Sequence, residues 1–201
     1  MRIELPATVA VFALLLTAAV APAAAAPITY SESVSGDLGA SLPASSIFAL
    51  DAGVNTVSGT LAFTNTGGLE QDSFALSVPI GMQLTAISFA FATTLAGVTT
   101  AAEKFFLLDN DNIVSFPFLA FQTIDVLGAS PFDAFTSALP LGPGIYGMLD
   151  NGGHIDGAGF TTDYTWSLTV EPVTAVPEPV SLVLLGAGLC GALVRRYRHQ
   201  R

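Results

Sequence analysis

Asp163-Tyr164-Thr165-Trp166-Ser167-Leu168-Thr169-Val170 is the stretch whose reading decides the fold. Tyr164, Trp166, Leu168 and Val170 are large and apolar, while Thr165, Ser167 and Thr169 between them are small and polar. Side chains alternate across a strand, so this pattern gives one face to a core and the other to solvent. A helix would need the apolar positions three or four apart.

The same alternation recurs toward the N-terminus. Val57–Thr64 ends at Asn65-Thr66-Gly67-Gly68, and Ser73–Val78 ends at Pro79-Ile80-Gly81. Gln83–Thr93 alternates through Leu84, Ala86, Phe89 and Phe91, with a break in the middle. Lys104–Leu108 and Ile113–Phe118 flank Asp109-Asn110-Asp111-Asn112, a hairpin-like turn; Gly144–Leu149 precedes Asp150-Asn151-Gly152-Gly153, another. Residues 115–142, with Pro117, Pro131 and Pro140, fit no strand and read as a long loop. The expected fold is therefore all-β. It is an antiparallel β-sandwich, jelly-roll-like, over residues 26–175, between an N-terminal signal helix and a single C-terminal transmembrane helix. A stretch of that length folds around one core and buries about two thirds of the surface that its unfolded form exposes.

Charge is distributed unevenly along the 201 residues. Fourteen of the sixteen acidic residues lie between Pro27 and Val176, and Lys104 is the one basic residue there. A domain so acidic repels nucleic acid and anionic lipid, and no nucleic-acid partner is expected. Cys190 is the chain's single cysteine and lies in the C-terminal apolar run, so the domain holds no disulfide.

Residues 1–25 read as a signal peptide. Arg2 precedes the apolar run Val9–Val20, and small residues follow from Ala21 to Ala26. Pro27 disfavours a cut directly before it, which points to cleavage after Ala24 or Ala25. The Sec translocon and signal peptidase are then the first partners. An uncleaved anchor or a buried helix is the other reading of this segment.

Residues 176–201 fall into three consecutive parts. Val176 leads into Pro177-Glu178-Pro179, which the two prolines keep extended. Residues 180–194 carry no charge and form a transmembrane helix of about 22 Å, shorter than the roughly 30 Å hydrocarbon core. Residues 195–201 contain Arg195, Arg196, Arg198 and Arg201, which act as a cytoplasmic stop signal and leave the acidic domain on the other side of the inner membrane.

The Pro177-Glu178-Pro179 triplet, the Gly- and Leu-rich span through Leu184-Leu185-Gly186-Ala187-Gly188-Leu189, and the arginine cluster together resemble the PEP-CTERM sorting domain of Gram-negative bacteria. That resemblance implies recognition by an exosortase and cleavage near Pro177-Glu178-Pro179. It also implies release or transfer to the surface of a cell that makes exopolysaccharide. A plain single-pass anchor is the alternative. Within the domain, Asp72–Gly81, Leu107-Leu108-Asp109, Gly144-Ile145-Tyr146 and Tyr164–Val170 follow one another in an order similar to pre-peptidase C-terminal β-sandwiches.

Catalytic chemistry finds little support. His154 is the domain's only histidine, it sits in a glycine-rich stretch, and no Gly-x-Ser-x-Gly elbow occurs. Zinc lacks nitrogen and sulfur ligands here. Calcium prefers oxygen, and Asp109, Asp111 and Asn112 offer three donors, with Asp150, Asn151 and Asp156 as a second group. The same residues also suit plain turns. The expectation is a non-catalytic surface or matrix protein associated with exopolysaccharide, without a cofactor unless calcium binds; a calcium-dependent glycan-binding or adhesin module is the alternative.

Overall fold

A computed structural model describes residues 26–44, 46–64, 68–112 and 118–173. The sorting motif, the apolar run 180–194, the arginine cluster and the signal peptide all lie outside these residues. Among the described residues no helix is long and apolar enough to cross a membrane.

Eleven strands and one single-turn helix make up the described structure. The strands are β1 (Thr29–Ser31), β2 (Ile47–Ala49), β3 (Gly53–Thr64), β4 (Gly68–Leu69), β5 (Ser73–Val78) and β6 (Met82–Leu95), then β7 (Thr99–Asn110), β8 (Ala120–Asp125), β9 (Phe132–Asp133), β10 (Gly144–Gly157) and β11 (Gly159–Pro172). The helix α1 spans Glu32–Ser35. One sheet has the order β1-β3-β11-β6-β9, with β4 added beside β3; the other has the order β2-β5-β10-β7-β8. Four antiparallel pairs nest inside one another: β3 with β11, β5 with β10, β6 with β9, and β7 with β8.

The two sheets pack face to face. Trp166 of β11 meets Phe106 of β7 edge-on at 5.1 Å, and Phe89 of β6 stands 5.2 Å from the same Phe106. Tyr164, Trp166, Leu168 and Val170 are all buried, as their alternation requires. The break in Gln83–Thr93 has a structural cause. A register shift near Thr85 moves β6 by one residue against β11, so Leu84 faces inward on one side of it and Ile87 and Phe89 on the other.

Three expectations need correction. The sheets are mixed, because β1 runs parallel to β3 and β2 runs parallel to β5. Asp150-Asn151-Gly152-Gly153 makes no hairpin: β10 continues through it to Gly157, and a one-residue bulge between Asp150 and Gly153 absorbs the irregularity. Residues 115–142 are no continuous loop either, since β8 and β9 lie within them and pair with β7 and β6. Of the expected strand Ile113–Phe118, only Phe118 belongs to the described residues, and it lies outside any strand.

The N-terminal segment is fixed firmly enough to position side chains. Asn55 is fully buried; its Oδ1 accepts the Ile28 N–H at 3.0 Å and its Nδ2 donates to Asp51 and Leu168 carbonyls. This clamps β1 alongside β3 with Tyr30 opposite Val57, and the chain then turns into α1 directly beside Gly59 and Thr60.

Candidate functional site

Glu32 opens α1, and both of its oxygens are held by backbone. Oε2 accepts the Thr60 N–H at 2.9 Å and Oε1 accepts the Leu38 N–H at 3.1 Å. Burial pushes its carboxyl above the usual range, the two N–H groups pull it back, and the negative charge of Asp37 raises it again. Gly59 makes room for this arrangement, because a β-carbon there would collide with the Glu32 carboxylate and the Tyr164 hydroxyl.

Asp37 follows Gly36, whose φ of 97° turns the chain back after the helix. Asp72 precedes β5 and is 5 % exposed. The Tyr164 hydroxyl donates to its Oδ2 at 2.7 Å, while Oδ1 has no hydrogen-bond partner among the described residues. Burial, opposed by that hydroxyl and reinforced by the charges of Glu32, Asp150 and Glu70, pushes the Asp72 carboxyl up to about 7. Burial and the facing Asp72 also raise the Tyr164 hydroxyl well above its ordinary value. One oxygen from each of Glu32, Asp37 and Asp72 lies within 4.8 Å of the others. Three carboxylates so close repel one another unless protons or a cation intervene.

An open cleft of about 580 Å³ is lined by Glu32 and Asp37 of this group, with Ser31, Ser33, Ser58, Thr60 and Asp163 among others. Behind it, in the core, Lys104 Nζ lies 2.5 Å from Asp150 Oδ2 and donates to the Glu70 carbonyl at 3.3 Å. Lys104 is fully buried and Asp150 is 2 % exposed. The Asp150 N–H donates to the Asp72 carbonyl at 2.8 Å, so the inner pair and the outer carboxylates share one strand junction.

The residues singled out from sequence have other tasks. Asp109 is buried at the end of β7, and its Oδ1 accepts the Asn110 N–H at 2.8 Å. Asp111 and Asn112 form the following turn with φ of 61° and 52°. Asn112 clamps Ala44: Oδ1 accepts its N–H at 2.8 Å and Nδ2 donates to its carbonyl at 3.2 Å. Asp150 points into the core, whereas the exposed Asp156 accepts from the Thr100 hydroxyl at 3.1 Å, so that pair is not brought together. His154 is exposed on β10 opposite Glu103. Asp72 stands forty residues after Glu32 in the sequence, and no spacing rule joins it to Glu32 and Asp37.

The fold places the chain among all-β proteins built as two packed sheets. No protein-family model matches it, and no curated protein matches it. Among solved structures it is similar to the pre-peptidase C-terminal domain of a collagenase from Bacillus anthracis. The identity is 16 %, the match covers 63 % of this chain and 93 % of that chain, and the TM-score is 0.28.

Proposed function

We propose that the chain is an exported, non-catalytic cell-surface or matrix protein whose β domain takes a calcium ion between Glu32, Asp37 and Asp72. The observation that carries the cation is the buried Asp72. It sits among two other carboxylates within 4.8 Å and keeps Oδ1 without a hydrogen-bond partner among the described residues. A buried oxygen of that kind is costly, and a hard cation that takes carboxylate oxygens removes the cost. Calcium here would join the N-terminal segment to the start of β5 and close one end of the sandwich.

The two ends of the chain supply the export half of the reading. The Sec translocon and signal peptidase act on residues 1–25. Arg195, Arg196, Arg198 and Arg201 hold residues 180–194 in the inner membrane, and an exosortase cuts near Pro177-Glu178-Pro179. The domain then passes to the surface or the exopolysaccharide layer. Deleting residues 176–201 is expected to abolish processing and surface delivery; unchanged processing and localisation would sink this half. We also read the nested pairing of β3 to β11 as a jelly roll, in which one long hairpin is rolled so that its two arms form both sheets.

The cleft favours a second, compatible reading. Hydroxyl-bearing Ser31, Ser33, Ser58 and Thr60 line it next to the carboxylates, a surface suited to sugar hydroxyls bridged by the same calcium. Retention of the domain on exopolysaccharide with calcium, and its loss with a chelator, would support glycan binding. Equal retention in both would leave calcium a structural role alone.

A further inference from the structure

Lys104 is the only lysine in the chain, and it is fully buried on β7. Its neighbours on the inward face are Ala102 and Phe106, so its position belongs to the apolar stripe of the strand. Asp150 stands opposite Phe106 on β10 and therefore projects to the same face. The bulge between Asp150 and Gly153 brings Asp150 within 2.5 Å of the amine. Gly153 opposes Lys104, and a β-carbon there would crowd the lysine side chain at Cδ and the Glu103 carbonyl. The amine thus reaches the Asp150 carboxyl at 2.5 Å and, farther off at 3.3 Å, the Glu70 carbonyl.

The surroundings are buried and largely apolar and aromatic. Phe74, Phe106, Trp166 and Met148 line a void of about 10 Å³ together with Asp72 and Asp150, close to the volume that holds a single water. An amine and a carboxyl held in contact away from bulk solvent meet the main requirement for an intramolecular reaction, groups fixed together before the attack.

We infer that Lys104 and Asp150 condense into an amide bond that joins β7 to β10. A proton leaves the Lys104 ammonium, and the freed nitrogen lone pair forms a bond to Asp150 Cγ. The bond from Cγ to one carboxylate oxygen breaks, and that oxygen leaves with two of the nitrogen's protons as water. One hydrogen remains on the new amide nitrogen. No oxidant, reductant or cofactor takes part, and both buried charges vanish. The void is the place where the product water forms. The inference uses the inner pair alone and stands apart from the cation at the outer carboxylates.

A covalent tie of this kind would give an exported domain without disulfides a permanent link between neighbouring strands of one sheet. The test is a peptide map of the full chain, folded, then denatured and cut after phenylalanine, tyrosine, tryptophan and leucine, which places Lys104 in Ala96–Phe105 and Asp150 in Asp150–Phe160. The expected result is one branched species holding the Lys104 and Asp150 peptides, lighter than their sum by one water. The denatured protein then shows no ε-amine open to an amine-specific label. Lys104→Arg keeps the positive charge but is expected to give two separate linear peptides, and Asp150→Asn a branched species that has lost ammonia instead of water. Two linear peptides from the unaltered protein, with Lys104 labelled, would overturn the inference.

Discussion

The Tyr164 hydroxyl on β11 donates a 2.7 Å hydrogen bond to Asp72 Oδ2 at the head of β5, a side-chain link between the two sheets. Tyr164→Phe removes the donor and leaves a buried carboxyl with less support. The expected cost is about 1–3 kcal/mol. Urea unfolding reads it, and the loss should be greater at pH 8, where Asp72 is ionised, than at pH 5.

Asp72 also sets a pH dependence in chelator. Its folded value is raised from 3.8 to about 7, so between those limits the unfolded carboxyl is ionised while the folded one keeps its proton. The unfolded state then binds fewer protons, and stability falls as pH rises through the window, by at most about 1.4 kcal/mol per unit. Below it the penalty is absent, and above it the penalty is complete. Urea midpoints taken across the window should fall for the unaltered protein and change less for Asp72→Asn.

Asn112 separates the two sets of oxygen donors. Asn112→Ala orphans the Ala44 N–H and carbonyl, and the expected cost is about 1–3 kcal/mol for each buried group left unpaired. The melting shift produced by calcium should persist in this variant. A vanished shift would move the cation to Asp109, Asp111 and Asn112.

Gly59 tests the shape of the outer site. A β-carbon at Gly59 collides with the Glu32 carboxylate and the Tyr164 hydroxyl. Gly59→Ala is expected to weaken calcium affinity at least tenfold, a loss of about 1.4 kcal/mol. Titration calorimetry measures it, and circular dichroism confirms that the sheets survive.

Much of the fold was legible from alternation. Ser73–Val78 coincides with β5, and Tyr164, Trp166, Leu168 and Val170 face the core as their spacing requires. The short edge strands β1, β2, β4 and β9 escaped notice because two or three residues carry no period. Residues 151–153 resembled a turn, since glycine-rich composition marks a bulge as readily as a hairpin. Parallel pairing of β1 and β2 depends on where the chain ends meet the sheets, which local pattern does not encode.

The outer site was less legible. Glu32, Asp37 and Asp72 meet because β1 docks parallel to β3 and Tyr164 reaches across from the other sheet. The inner pair did leave a signal. Lys104 shares its parity with Ala102, Phe106 and Leu108, so a lone lysine occupies a core position in the alternating pattern. A buried cation demands a partner, and Asp150 directly follows Gly144–Leu149, the segment that pairs with β7.

Calcium titration into the chelator-treated protein tests the central claim most directly, with Asp37→Asn beside it because Asp37 is exposed and its loss spares the core. The account predicts one calcium bound per chain. It predicts a melting midpoint that rises with calcium, by about 2.7 kcal/mol of stability at a hundredfold excess over the dissociation constant. Both effects should be lost or sharply reduced in Asp37→Asn. No heat of binding and an unmoved midpoint at millimolar calcium would contradict it.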